Sequence, residues 1–417
     1  MERKLSGGHM DKLRAVFISM LVLGFVGCSS SSSDNPPITH QACEKYNLYV
    51  ANRSDASVSV VDLCTNQEKK KITVGTTPSI WNYDDVNHLV FVSNADSNTV
   101  SVINTLTQTK IGNDLTVGTS PQDVAWDETN RLLYVTNAGS DSVSVFTADS
   151  NFTAFTEDAK SPLALPAGSA PHQAVVVPGT GAVYVAAELN YVYKIDPKTM
   201  TVGNTPIDLR GSGETADRTL RRMKISTVNN KIYVTRVGGS GKDRVAIIDP
   251  GNSDAVNNVP VGNGAGRLIL DDAGNVYTVN NSGTSPAFTV SRVSVTDNSV
   301  TDYPVLSDKP GDIEVTPTGS KVFVSIPGAN NNGNTVVAID TTSSVVGNPV
   351  TVGTNPINTD YVDELKRLYV SNRGDETNIA NAGTTVSVVD TENNLKVTDI
   401  TVGKNPGSLV VVDVPLN

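Results

Sequence analysis

The sequence predicts an all-β fold of eight four-stranded antiparallel blades closed into a ring, a β-propeller, and three observations carry that expectation. The first is a recurring hairpin. Arg131 to Phe146 reads RLLYVTNAGSDSVSVF, two runs alternating apolar and small polar residues around a link of Asn, Gly, Ser and Asp. Copies of it align on Tyr49, Phe91, Tyr134, Tyr184, Tyr233, Tyr277, Phe323 and Tyr369, at spacings of 42, 43, 50, 49, 44, 46 and 46 residues. That period is the size of a four-stranded propeller blade. The second is a turn, Val-Gly-x-x-Pro, at 74–78, 117–121, 352–356 and 402–406, where Gly and Pro are expected to bend the chain before each new blade. The third is the fit of the ends. The repeats open at Asn47 on a second strand with no first strand before it, and finish with a lone first-type strand, Ser408 to Val412. The last strand therefore completes the first blade and removes the open edge. The count is eight blades, with seven as the alternative.

Taken in order, residues 1–27 read as a secretion signal, 28–45 as a tether, 46–414 as the propeller and 415–417 as the C-terminal end. Lys12 and Arg14 precede an apolar run, Ala15 to Val26, too short to span a bilayer. Met10 is a second candidate start. Ser29 to Ser33 followed by Asp34-Asn35-Pro36-Pro37 has nothing to bury. Phe25-Val26-Gly27-Cys28 resembles a bacterial lipoprotein signal, with Phe25 where Leu is usual. The resemblance implies lipid on Cys28 and, with Ser29 rather than Asp following, an outer-membrane location. Cys43 and Cys64 then remain as a pair in an oxidising compartment. Cys64 follows the strand Val58 to Leu63, opposite Tyr46, so Cys43 lies within reach of a disulfide worth about 3 kcal/mol in the chain-entropy model.

Within each unit the strands are labelled a to d. In the third they start at Pro121-Gln122-Asp123-Val124-Ala125-Trp126, continue through Leu132 to Asn137 and Val143 to Phe146, and end in an irregular strand before Ala167. Val, Thr, Ser, Asn, Gly and Asp dominate, and no stretch sustains helical periodicity. The aromatic residue of each b strand is read as packing between blades. Leu133-Tyr134-Val135-Thr136-Asn137, Leu48-Tyr49-Val50-Ala51-Asn52 and Leu368-Tyr369-Val370-Ser371-Asn372, each followed by Val-Ser-Val-Val-Asp or a variant, resemble the YVTN family of propeller repeats. The resemblance spans Asn47 to Val414 and implies an envelope or secreted propeller without assigned chemistry. The fourth to seventh units depart from it, at Ala186-Ala187, Thr235-Arg236, Val279-Asn280 and Ser325-Ile326.

In such a blade the b–c and d–a connections emerge on one face. There the connection LRGSGETADRTL, Leu209 to Leu220, brings Arg210 and Arg218, with Arg221, Arg222 and Lys224 just beyond. Guanidinium groups on a Gly-bearing loop suit carboxylate or phosphate, so Arg210, Arg218, Arg221 and Arg222 are the candidate ligand-binding residues. The alternative is a solvated loop in which they pair with Glu214 and Asp217. Arg373-Gly374-Asp375, the tripeptide of integrin ligands, lies in another long loop whose residues are ordinary turn formers.

Catalysis finds little support. Of four histidines, His88 and His172 fall within the repeats, and no nucleophile elbow, haem attachment motif, zinc-protease motif or phosphate loop occurs. Asp271 to Asn275 resembles half a calcium loop and is read as a turn. No catalytic residue, metal or cofactor is expected. A net charge of −11 opposes nucleic acid as a partner. The expectation is an envelope-anchored, non-catalytic binding or scaffold module. Its partner at the loop face would be a protein, glycan or small anionic ligand, and the membrane is reached through lipid. The alternatives are a lactonase-like or quinoprotein-like propeller enzyme and a surface adhesin or matrix component.

Overall fold

The computed structural model describes residues 40–211, 214–215, 218–238, 242–282, 288–303, 306–375 and 378–415. Eight separate antiparallel sheets are present, each running a to d in strand order. The a strands pack on one another in sequence around a closed ring, so they form the wall of a central channel. Blade 1 takes its b, c and d strands (Tyr46–Asn52, Ser57–Asp62 and Gln67–Thr73) from the start of the repeats, and its a strand, Pro406–Asp413, from the end. Tyr49 lies opposite Val410 in that pairing. The count of eight and the closure by the last strand are therefore as the sequence predicted.

Blade-on-blade packing follows from the alternation of the strands. The buried apolar side chains of the described residues fall into eight clusters, one for each interface between neighbouring blades. Tyr49, Tyr134, Tyr184, Tyr233, Tyr277 and Tyr369 are all buried in them, which makes interblade packing the role of the b-strand aromatic. No blade could bury these faces alone, so the ring stands or falls together.

The polar residues of the repeat have equally defined work. In blades 1, 2, 3, 6 and 8 the Asn closing strand b donates through Nδ2 to two hydroxyls of strand c; Asn137, for example, reaches Ser142 and Ser144 at 3.3 and 3.0 Å. The Gly of Val-Gly-x-x-Pro lies over this Asn. A Cβ on Gly118 would stand 2.7 Å from Asn137 Cγ, and one on Gly353 would stand 2.5 Å from Asn372 Cγ. The glycine is thus required by close approach, while the turn itself is made by the residue before the proline. Thr77, Ser120, Asn355 and Asn405 have φ of 55°, 53°, 56° and 51°. That corrects the expectation that Gly and Pro make the bend. Asp62, Asp340 and Asp390, which close c strands, each accept two backbone N–H groups of the following c–d turn.

The b–c and d–a connections form the upper face, the a–b and c–d turns the lower. The chain enters on the lower face through one helical turn, His40–Cys43. Cys43 is bonded to Cys64 in the first c–d turn, with Cα atoms 5.0 Å apart, and is buried beside Val362 and Leu365 of blade 8. Lys45 pairs with Glu364 at 2.5 Å across the same junction. Cys28, the signal and the first residues of the tether lie outside the described residues.

Candidate functional site

Strand register brings one position of every a strand to the same height in the channel wall. In blade 3 it is Asp123, third from the proline that ends the turn. Its carboxylate accepts the backbone N–H of Ala174 on the a strand of blade 4 at 2.9 Å. The rule repeats around the ring. Gln173 accepts from Met223, Asp312 from Thr359, Asn358 from Leu409 and Ser408 from Ile80, at 2.6, 2.8, 2.9 and 2.5 Å. Each of these side chains ties its blade to the next by a bond that the strand ladders do not supply. The same wall continues one step lower, where Asp360 accepts from Val411 at 2.6 Å.

Blade 2 has the apolar Ile80 at this count, and two adjacent blades replace the acceptor by a cation. Blade 5 puts Arg222 at this height and blade 6 puts Arg267, and a guanidinium has donors only. Both are partly exposed in the channel wall, with Arg221 and Lys224 exposed beside them on blade 5. Arg267 Nε lies 3.5 Å from Asp312 Oδ1. Burial, and then the like charge of Arg267, bring the Arg222 guanidinium down to about 9, against the opposing pull of Asp312 and Asp123. Asp123 itself is pushed up to about 6 by burial, which outweighs its backbone hydrogen bonds and the charges of Arg222 and Lys224. The charges of Asp123, Arg267 and Asp312, on blades 3, 6 and 7, thus all bear on Arg222.

Two further groups border it. His172, on the blade 4 wall, is brought down to about 4 by burial and by Arg222 and Arg221, so its imidazole is neutral. Its ring nitrogens make no hydrogen bond of good geometry, although the carbonyls of Ala170 and Leu220 are near enough to favour its charged form slightly. Glu314, one step lower on blade 7, is raised well above the usual carboxylate range by burial and then by Asp360, with Lys224 opposing.

The four arginines singled out in the sequence occupy two different places. Arg221 and Arg222 belong to the channel. Arg210 and Arg218 belong to the upper face, each bound to carboxylates. Arg210 reaches Asp208 at 2.6 Å and lies over the Tyr191 ring, 5.5 Å from its centroid. Arg218 is only 2% exposed, held between Glu214 and Asp243, the latter at 3.1 Å. Glu214 also reaches Arg236, at 3.3 Å. Arg236 is fully buried where the repeat has its Asn, and it donates to Asn190 and Asn258 at 2.7 Å each. Asp217 lies outside the described residues. Asp271 caps its own turn, accepting from Asn275 N at 2.8 Å, and Gly374 of the Arg-Gly-Asp sequence is the buried end of a b strand.

Arg267, Asp123, Asp312, Glu314 and Asp360 were not singled out by sequence reasoning. The signal that finds them is register: counting three and five residues from the start of each a strand. Among the described residues no group of three or more His, Cys, Asp or Glu side chains is arranged to hold a metal ion.

Fold and channel together define a β-propeller. No protein-family model matches the chain, and no curated protein matches it in sequence. Solved structures do. Apo AztD from Citrobacter koseri superposes with a TM-score of 0.65 at 15% identity, over 88% of this chain and 98% of that one. The dihydro-heme d1 dehydrogenase NirN, in complex with DHE, gives 0.65 at 13% identity over 91% and 77%. A putative 6-phosphogluconolactonase from Bacteroides fragilis gives 0.54 at 15% over 89% and 99%. Identities this low establish a shared fold, and the neighbours' names span varied roles.

Proposed function

We propose that the chain is an envelope-anchored propeller lipoprotein of the YVTN-repeat type, acting as a non-catalytic binding or scaffold module through its upper face. The observation that carries this reading is the point of entry. The N-terminal segment joins the ring on the lower face, fastened by the Cys43–Cys64 bond and the Lys45–Glu364 pair. A lipid on Cys28 would hold that lower face toward the outer membrane and turn the upper face, with the channel mouth and the long connections, toward a partner. Replacing Cys28→Ser in the full chain is expected to move it from the membrane fraction to the soluble envelope fraction. Retention equal to the parent overturns the anchor. Affinity capture from solubilised envelope tests the module. A partner held by the parent and lost by an Arg210→Ala, Arg221→Ala variant supports it, and equal capture by both removes those residues from the contact.

A second reading, a propeller enzyme, is favoured by Glu314, a channel carboxyl raised well above the usual carboxylate range by burial and then by Asp360. Such a group suits a general acid. Its test is hydrolysis of sugar lactones by the purified chain, with Glu314→Gln as the control; absence of turnover removes it.

A further inference from the structure

We infer that the cleft between the outer strands of blades 8 and 1 receives the end of this chain's own tether, Pro36 to Thr39, which lies outside the described residues. The docking goes beyond the binding-module reading and holds with or without it.

The cleft measures about 580 Å³ and is lined by Thr65 to Glu68 on blade 1 and by Val397, Thr398, Asp399 and Thr401 on blade 8. Its two outer strands, Gln67–Thr73 and Leu395–Thr401, run seven residues each, whereas blades 2, 4 and 7 break theirs into two-residue pieces. Place in the chain then points to the occupant. Cys43 is bonded to Cys64, and Cys64 directly precedes the wall that starts at Thr65. The single turn His40–Cys43 separates Cys43 from the tether by a rise of ~6 Å, and four extended residues reach ~13 Å further. An extended residue fills ~160 Å³ at the usual strand spacing and sheet separation, so the cleft has room for about four.

The chemistry of the two sides matches. Ile38 is the one apolar residue besides proline between Cys28 and His40, and Val397, 49% exposed, is the one apolar side chain lining the cleft. Pro36 and Pro37 favour an extended backbone that offers carbonyl acceptors and no N–H. The walls supply donors for it, the amides of Asn66 and Gln67 and the hydroxyls of Thr398 and Thr401, which no side-chain hydrogen bond engages among the described residues. The carboxylates of the cleft are paired. Asp399 accepts from Ser387 Oγ at 2.6 Å and meets Lys396 at 2.5 Å, and Glu68 lies 3.9 Å from Lys71. Their residual charge disfavours only Asp34, which falls outside the four docked residues. With Pro36 to Thr39 held, the span left to a lipid on Cys28 falls from ~40 Å to ~27 Å. That consequence, unlike the docking, rests on the lipid reading.

The test is an oxidative cross-link in the detergent-solubilised full chain carrying Ile38→Cys and Val397→Cys, read by mass spectrometry of the linked peptides. A disulfide between positions 38 and 397 of one chain is expected, with Cys43–Cys64 retained. Its yield should exceed at least ~tenfold that of Ile38→Cys with Val228→Cys, an exposed valine on the lower face of blade 5. A yield equal to that control, or a link that joins two chains, overturns the docking. A second measurement needs no new cysteine. Proteinase K should cleave within residues 36–39 at least ~tenfold faster in Val397→Asp than in the parent. Val397 is half exposed, so the variant keeps its fold, and equal cleavage rates overturn the docking as well. The Cys28→Ser fractionation reads the anchor separately: its failure leaves the cross-link in place, and absence of the cross-link leaves the anchor in place.

Discussion

The ring divides into two arcs that solve the same folding problem differently. Blades 8, 1, 2 and 3 end their b strands in Asn372, Asn52, Asn94 and Asn137, each donating to a pair of strand c hydroxyls beneath a glycine. Among blades 4 to 7 only blade 6 keeps that Asn. Ala187, Arg236 and Ile326 stand at the position in blades 4, 5 and 7. The channel cations, Arg221, Arg222, Lys224 and Arg267, all lie on this second arc, on blades 5 and 6. One half of the ring keeps the repeat Asn in every blade, and the other departs from it where charge gathers. Departure from the repeat marks the part of the surface released for another use.

The largest effect separating the arcs is expected at Glu214. It serves two buried guanidiniums of blade 5, Arg218 and Arg236. Burial raises its carboxyl, but the bonds from Arg218 and Gly211 N and the charge of Arg236 outweigh that and hold it below the usual range. Glu214→Ala leaves two cations without their shared partner, a loss on the order of 3–5 kcal/mol. Urea unfolding measures it. A change under ~1 kcal/mol would mean that Asp243, Asn190 and Asn258 suffice, and the arcs would then not differ in kind.

A smaller effect is expected in the regular arc. Asn372→Ala removes bonds to Thr385 and Ser387, both 2.9 Å, and the acceptor for Gly353 N at 3.1 Å. The cost should be ~1–3 kcal/mol, and the crowding against the glycine above should ease. Gly353→Ala ought to be severely destabilising in the parent and less so on the Asn372→Ala background, because Asn372 Cγ and Nδ2, 2.5 and 2.6 Å from its Cβ, are gone while Asn372 Cβ at 2.7 Å remains. Additive losses in that double-mutant cycle would refute the close-approach account of the repeat glycine.

The fold was legible because its period survives substitution: an aromatic every 42 to 50 residues, and a Val-Gly-x-x-Pro turn at four of the blade junctions, are visible without coordinates. The site was half legible. Arg221 and Arg222 drew notice as charges near a long connection, but nothing local distinguishes them from Arg218, which is buried by Asp243, twenty-five residues away in sequence. Arg267 carries no signal of its own in Gly264 to Leu270. Its meaning is positional, since it stands where Asp123, Asp312 and Asn358 accept hydrogen bonds, and that equivalence exists only once each a strand is registered on its b strand. The role of the repeat Asn was hidden for a related reason. A residue common in turns reads as a turn former until its partners on the next strand are seen.

The finest distinction lies at the seam where the arcs meet, between Asp123 on blade 3 and His172 on blade 4. Both are shifted chiefly by burial, in opposite senses. Asp123 is pushed up to about 6 from an unfolded value near ~4, so its contribution to stability is complete below pH ~4 and is lost as pH rises through about 6. His172 is pushed down to about 4 from ~6.5 unfolded, so its contribution is present above pH ~6.5 and is lost as pH falls through about 4. The two slopes oppose each other across one window and partly cancel in the parent, with Glu314, also raised, adding to the Asp123 side. Single substitutions separate them. From pH 4 to 7 the stability of Asp123→Asn relative to the parent should rise, and that of His172→Gln relative to the parent should fall, each by on the order of 2 kcal/mol. Urea unfolding at both pH values is sufficient to read this. Slopes of the same sign in the two variants would mean that one of the groups is wet in the folded protein, and the seam would then be an open part of the channel rather than the closed edge of the cationic arc.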